Sequence, residues 1–117
     1  MKLGAFLASQ TTSWSEILGT AKLVDRLGYD HVWFPDHFYS IFGGPYQAAF
    51  EGWTTLAACA QATDHIRLGL LVGANTFRNP GLVAKMAVTL DHVSAGRAIL
   101  GLGGGWNELE HRDKRTP

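Results

Sequence analysis

The feature that most constrains the fold of this 117-residue chain is a repeated order of short apolar runs and amphipathic stretches. Each run is strand-like and stops at a polar or glycine-rich cluster. The runs cover residues 2–8, 31–34, 66–72 and 97–102. Three stretches with helical periodicity separate them, so strand, helix and strand alternate along the chain. This order is typical of a parallel sheet with crossover helices.

Local signals define the three helices, which we predict over residues 14–27, 51–62 and 80–93. Ser13 and Glu16 have the spacing of a capping box, and Gly28 is placed to end the first helix. Asn79 and Pro80 are a typical start for the third helix. Right-handed crossovers would place all three helices on one face of the sheet, as in a barrel.

A closed eight-stranded barrel takes about 250 residues, roughly twice this length. The prediction is therefore an α/β fold: half of a (β/α)8 TIM barrel, βαβαβαβ with parallel strands. We expect a single half-barrel domain over residues 1–117, with an irregular tail from about residue 107.

Composition excludes several classes of function. The formal net charge is zero, which argues against nucleic acid as a partner. No run is long enough to cross a bilayer, and nothing resembles a signal peptide. The single cysteine, Cys59, is interpreted as a packed thiol, and the histidines lack metal-ligand spacing. We expect a cytoplasmic protein without a metal site.

Asp36 and His37 are the strongest local signal, because they follow the second strand directly. In barrels of this kind ligands bind at the carboxyl ends of the strands. His37 could act as an acid or base, or donate to a ring. Asp36 could orient His37 or bind a ligand N–H group. The alternative is an Asp in a local turn beside a surface His.

Two further loops are weaker candidates. The glycines of GLGGGW at 101–106 leave backbone N–H groups free for a ligand. However, Trp106 stands where the dinucleotide fingerprint needs glycine. A flexible turn is the alternative interpretation. In the third loop, Arg78 could hold an anionic group, although the local pattern favours a surface arginine near a helix start.

Several segments in order carry a resemblance to a known family: HVWFPDHF, LGLLVGANTFRNP and KMAVTLDHVSAGRAILGLGGGWNE. The chain resembles the luciferase-like monooxygenase family up to about Glu110. It is most similar to the deazaflavin-dependent oxidoreductase branch, whose cofactor is coenzyme F-420. The resemblance implies the amino-terminal half of a TIM barrel and hydride transfer through the cofactor.

The resemblance also implies roles for individual residues. His37 would be the catalytic acid or base, or would position the ring. Leu71 and Val72 fall at a bulge with a non-prolyl cis peptide behind the ring. Trp106 stands where some members have a catalytic Glu. The implied cofactor-binding residues are Asp36, His37, Leu71, Val72, Gly103, Gly104, Gly105 and Asn107.

The implied cofactor is coenzyme F-420, with FMN as the alternative and no bound cofactor as a third outcome. Family members continue through four more βα units and place their phosphate site there. We therefore expect a truncated or engineered half-barrel with weak or no activity alone. The alternative function is a non-catalytic scaffold that self-associates as a homodimer through its open sheet edges. A small flavin-binding module is a third interpretation.

Overall fold

The structure is a computed structural model that describes residues 1–113, and it confirms the parallel α/β fold. The strands are β1 (Gly4–Phe6), β2 (His31–Phe34), β3 (Arg67–Leu70), β4 (Gly73–Ala74), β5 (Ala98–Ile99) and β6 (Leu102–Gly103). Four of them form the main sheet in the order β1, β2, β3, β5, and all neighbours are parallel. A second, two-stranded parallel sheet pairs β4 with β6.

The helices are α1 (Trp14–Arg26), α2 (Gly52–Ala62), α3 (Pro80–Val93) and a short α4 (Glu108–Asp113). The predicted capping box is present at α1: the Glu16 N–H donates to Ser13 Oγ, and the Ser13 N–H donates to Glu16 Oε2 at 2.9 Å. Gly28 follows α1 with a φ of 78°, which favours glycine. Asn79 caps α3, with Pro80 in the first turn.

One face of the main sheet is buried under α1, α2 and α3. Alternate side chains of β2 and β3 point to this face and are almost inaccessible: Val32, Phe34, Leu68 and Leu70. They share one apolar core with residues from all three long helices. Full burial of each such side chain contributes about 1.5–3 kcal/mol. The other face carries Phe6 and Trp33, which remain partly or largely exposed.

Two of the predicted strands are each divided in two. The apolar run 66–72 was predicted as one strand, but the Leu71–Val72 peptide bond is cis and separates β3 from β4. The run 97–102 divides into β5 and β6 at Gly101, whose carbonyl accepts from the Gly73 N–H at 2.9 Å. The resemblance implied a cis peptide at this bulge, whereas apolar periodicity continues through it without a break.

The tail was predicted as irregular from about residue 107, and this is wrong for residues 108–113. The Leu109 N–H donates to Asn107 Oδ1 at 3.1 Å, so Asn107 caps the amino end of α4. Glu110 on this helix is completely buried. The last part of the predicted domain, residues 114–117, lies outside the described residues. Within residues 1–113, each helix is too short or too polar to cross a membrane.

Candidate functional site

A cavity of about 160 Å³ lies at the carboxyl ends of the parallel strands. Residues after β2, between β3 and β4, and before α4 surround it. Its lining is Asp36, His37, Leu71, Val72, Ala74, Gly105 and Trp106. Five of the predicted cofactor-binding residues therefore meet at one place. Gly103, Gly104 and Asn107 do not line this cavity.

His37 is held by a carboxylate that sequence reasoning missed. Its Nδ1 lies 2.9 Å from Glu110 Oε2, and its side chain is 14% exposed. The indole of Trp106 meets the imidazole edge-on, with ring centroids 5.8 Å apart. Within residues 1–113, Nε2 makes no hydrogen bond, so it is available to a molecule in the cavity. Trp106 itself is 72% exposed, which is unusual for so large an aromatic side chain.

Asp36 does not orient His37, so this alternative for its role is wrong. Its carboxylate accepts two hydrogen bonds from Arg78, at 2.7 and 2.8 Å, and a third from the Ala74 N–H at 2.9 Å. Arg78 also donates to Glu51, the capping residue of α2. Asp36 therefore joins the end of β2 to β4 and to the loop before α3.

The expectation that Arg78 is a surface arginine is also wrong, because its side chain is only 10% exposed. Burial alone would lower the pKa of Arg78, but the hydrogen bonds and charges of Asp36 and Glu51 raise it above its usual value. Burial likewise opposes ionisation of Glu51, yet hydrogen bonds from Thr54, Trp53 and Arg78 lower its pKa. Arg78 and Glu51 therefore stay charged, and together with Asp36 they act as structural supports.

The glycines before α4 allow close packing. A Cβ atom on Gly103 would lie 2.3 Å from Val72 Cγ2, so only glycine lets β6 approach the bulge. Gly105 has a φ of 75°, and a Cβ there would lie 2.7 Å from Thr76 Oγ1. Gly104 is exposed, and a Cβ atom there would meet no described atom within 4 Å apart from its chain neighbours. Gly103 and Gly105 thus shape the cavity through the backbone.

A larger apolar groove, of about 360 Å³, runs between α2 and α3. Trp53, Leu82, Met86 and Leu90 are among its lining residues. It lies on the helical side of the sheet, away from the strand ends, and Lys85 is its one ionisable side chain. Apart from Lys85 and two threonine hydroxyls this groove is apolar, whereas the rim cavity brings Asp36 and His37 together at the strand ends. The smaller rim cavity is therefore the candidate functional site.

Comparison with known proteins decides the family. The model of the luciferase-like monooxygenase family matches residues 1–115, nearly the whole chain. The chain belongs to the luciferase-like monooxygenase family. The chain is 36% identical over 109 residues to limonene 1,2-monooxygenase from Rhodococcus erythropolis, covering 87% of this chain and 27% of that protein.

The F-420-dependent glucose-6-phosphate dehydrogenase of Intrasporangium calvum is 34% identical to this chain over 107 residues, covering 90% of this chain and 31% of that one. Among solved structures, the coenzyme F-420-dependent tetrahydromethanopterin reductase of Methanopyrus kandleri superposes with a TM-score of 0.79 at 25% identity. The match covers 99% of this chain and 30% of that chain. The chain spans 40% or less of the curated relatives it matches.

The lining of the rim cavity fits one edge of a flat, partly polar ring. Leu71 and Val72 are both more than two-fifths exposed and offer an apolar wall. The Trp106 indole offers an aromatic surface, and the His37 imidazole, which also lines the cavity, offers a hydrogen-bonding nitrogen. Flat aromatic ligands bind to surfaces of this composition. The described residues therefore fit the ring system of a flavin or deazaflavin.

Proposed function

We propose that this chain binds the ring of coenzyme F-420 at the rim cavity and forms part of the site of a hydride-transferring oxidoreductase. The observation that supports it is the meeting of His37, the Leu71–Val72 wall and Trp106 around one cavity at the strand ends. The family assignment supports the same class of reaction. A deazaflavin ring, when bound, supplies a two-electron hydride acceptor or donor.

His37 is the proposed acid or base. When a substrate hydroxyl is oxidised, its carbon gives up a hydride and its oxygen gives up a proton, and the proton needs an acceptor. His37 lines the cavity, and its Nε2 would take this proton or return it in the opposite direction. Leu71, Val72 and Trp106 would exclude water from the reacting atoms.

Coenzyme F-420 is proposed ahead of FMN for two reasons. The Asp36–His37 pair is the part of the sequence that resembles the deazaflavin branch. A relative at 34% identity is F-420-dependent by name, as is a solved structure at 25% identity. FMN remains the alternative ligand for the same cavity.

A titration with each cofactor tests this proposal. The protein is titrated separately with F-420 and FMN, and binding is followed by absorbance and fluorescence. We expect saturable but weak binding of F-420, because the described residues offer one rim and not an enclosed pocket. His37→Ala should weaken binding and abolish any residual cofactor reduction, with an unchanged circular dichroism spectrum.

His31→Ala is the matched control, since His31 begins the same strand at its opposite end. It should leave cofactor binding unchanged. Equal effects of the two substitutions would contradict the assignment of the site, as would full activity of His37→Ala. Tighter binding of FMN than of F-420 would select the alternative cofactor.

A second candidate function is a non-catalytic half-barrel that self-associates. Phe6, Leu100 and Leu102 are each at least half exposed, and they lie on strands or directly beside them. Exposed apolar side chains along a sheet favour association. Failure to bind either cofactor, together with a stable dimer, would favour this function.

A further inference from the structure

Glu110 is a completely buried carboxylate that the sequence analysis did not assign. Its Oε1 accepts hydrogen bonds from the backbone N–H groups of Phe38 and Tyr39, the latter at 3.2 Å. Its Oε2 lies 2.9 Å from His37 Nδ1. One side chain on α4 thus holds both the imidazole and the chain that follows it.

We propose that Glu110 is a positioning residue that fixes the tautomer of His37. Oε1 accepts hydrogen bonds from two backbone N–H groups, and Oε2 of the same carboxylate faces His37 Nδ1. A carboxylate oxygen accepts hydrogen bonds, so Oε2 is the acceptor in the contact with Nδ1. Nδ1 of His37 must therefore carry a proton. In the neutral imidazole, Nε2 is then left with a lone pair, on a side chain that lines the cavity. A carboxylate that holds a histidine in this way determines which nitrogen reacts.

No other described charged side chain competes for the imidazole. Asp36 is adjacent in sequence, but its two oxygens are bonded to Arg78 and to the Ala74 N–H. His111 on α4 is bonded at Nδ1 to the Asn107 carbonyl and at Nε2 to Thr76 Oγ1. Among residues 1–113, Glu110 is therefore the carboxylate that sets the proton position on His37.

The chemistry of the ligand follows from this tautomer. A lone pair on Nε2 accepts a hydrogen bond, so it selects an N–H or O–H group of a ligand over a carbonyl oxygen. This part of the inference rests on the proposed function. With this tautomer, the group that meets Nε2 is the hydroxyl of a substrate or the N–H edge of a ring. A carbonyl group would need a protonated Nε2 as its donor, which the neutral imidazole does not have here.

Glu110→Gln gives a sharp test, because the carboxamide has one oxygen where the carboxylate has two. The backbone N–H groups of Phe38 and Tyr39 require that oxygen at the Oε1 position. The NH₂ group then faces His37 Nδ1, which must become an acceptor. The imidazole proton moves to Nε2, so the variant should have the opposite tautomer.

The measurement is ¹⁵N NMR of the histidine side chains at alkaline pH, where the rings are neutral. We expect Nδ1 of His37 to be protonated in the wild type and Nε2 to be protonated in Glu110→Gln. His111 is an internal reference, because its hydrogen bonds do not involve Glu110. Glu108→Gln is the matched control: Glu108 lies on the same helix, is exposed and pairs with Arg112. Glu108→Gln should leave the tautomers of His37 and His111 unchanged.

A wild-type spectrum with His37 protonated at Nε2 overturns the proposal, and this result does not depend on whether a variant folds. An unchanged tautomer in folded Glu110→Gln also overturns it. The functional part is tested by F-420 titration, where Glu110→Gln should weaken binding about tenfold, as for loss of one hydrogen bond. If the wild type does not bind F-420, the proposed function fails, whereas the tautomer inversion would still stand.

Discussion

Arg78 shows how one residue supports the whole rim of the site. Its guanidinium binds the buried Asp36 carboxylate in a bidentate manner and also reaches Glu51 at the start of α2. Arginine suits this position because its planar fork matches carboxylate geometry. Removal of one partner from a buried pair leaves an uncompensated charge, which costs more than the pair contributes.

We expect Arg78→Ala to lower the free energy of unfolding by about 3 kcal/mol, because it leaves the buried Asp36 carboxylate without its cationic partner. The loss of unfolding free energy for Arg78→Lys should be intermediate, since lysine restores the charge but not the bidentate contact. Urea denaturation measures both. Arg112→Ala is the control: its exposed pair with Glu108 should contribute less than about 1 kcal/mol. Equal losses at positions 78 and 112 would contradict this prediction.

Cys59 is predicted to be chemically inert in the folded protein. It is completely buried within α2, and burial raises the pKa of its thiol to about 11. The thiolate is the reactive form, so little of it exists near neutral pH. We expect a colorimetric thiol reagent to leave the native protein unmodified at pH 8 and to modify one thiol per chain in urea. Rapid modification of the native protein would show that α2 opens readily.

At the scale of elements, two polar side chains connect helices to the amino ends of strands. Arg97 precedes β5, and its guanidinium donates to three backbone carbonyls around the end of α2 and the start of β3: those of Ala60, Thr63 and Ile66. Asp25 near the end of α1 accepts from the N–H groups of residues 64–66. These contacts satisfy backbone groups that neither helix nor sheet can pair.

Asp25 should make stability depend on pH. Burial alone would raise its pKa, but the three backbone N–H groups outweigh this effect and lower the pKa. A lowered folded-state pKa means that the stabilisation is present above the unfolded value of about 3.9 and is lost as the pH falls through the folded value. The Asp25 contribution should therefore begin to decline near pH 4 and be lost at a lower pH, below the folded-state pKa.

The test compares Asp25→Asn with the wild type by urea unfolding at pH 7 and pH 3. We expect a loss of about 2 kcal/mol at pH 7, as for a weakened buried hydrogen-bond network, and a smaller difference at pH 3. The neighbouring exposed Asp64 provides the control substitution, Asp64→Asn. If the difference in unfolding free energy between the wild type and Asp25→Asn is the same at both pH values, the charge of Asp25 is unimportant for stability.

At the scale of the whole molecule, the described sheet is covered on one side only. The helices bury one face, while β1 and β5 are its edge strands within residues 1–113. On the open side, Phe6 is aligned with Trp33 in the register of β1 and β2. Unpaired strand edges and exposed apolar side chains both promote association.

We therefore predict that the chain self-associates, most simply as a twofold dimer. Sedimentation equilibrium at micromolar concentration should show a monomer–dimer equilibrium. Phe6→Glu should shift it towards monomer, because it places a charge on the open face. Tyr46→Glu is the control, since Tyr46 is a fully exposed loop aromatic away from the sheet. A monodisperse wild-type monomer would contradict this prediction.

The sequence by itself determined the order and the kind of the main elements. Capping at Ser13 and Asn79 and the left-handed Gly28 are local effects, because each depends on residues within a few positions. Strand–helix alternation then permits few arrangements beyond a parallel sheet with helices on one face. The position of Asp36 and His37 at a strand end follows from the same local pattern.

Only the tertiary structure decided which partners these residues have. Glu110 lies 73 positions from His37, and Arg78 lies 42 positions from Asp36. From the sequence alone, a charged residue in a polar stretch is interpreted as solvent-exposed, because its buried partner is distant along the chain. The sequence therefore predicted an irregular tail and a surface arginine. Burial is a property of the folded chain. Because the fold buries Glu110 against His37 and Arg78 against Asp36, these two side chains support the candidate site.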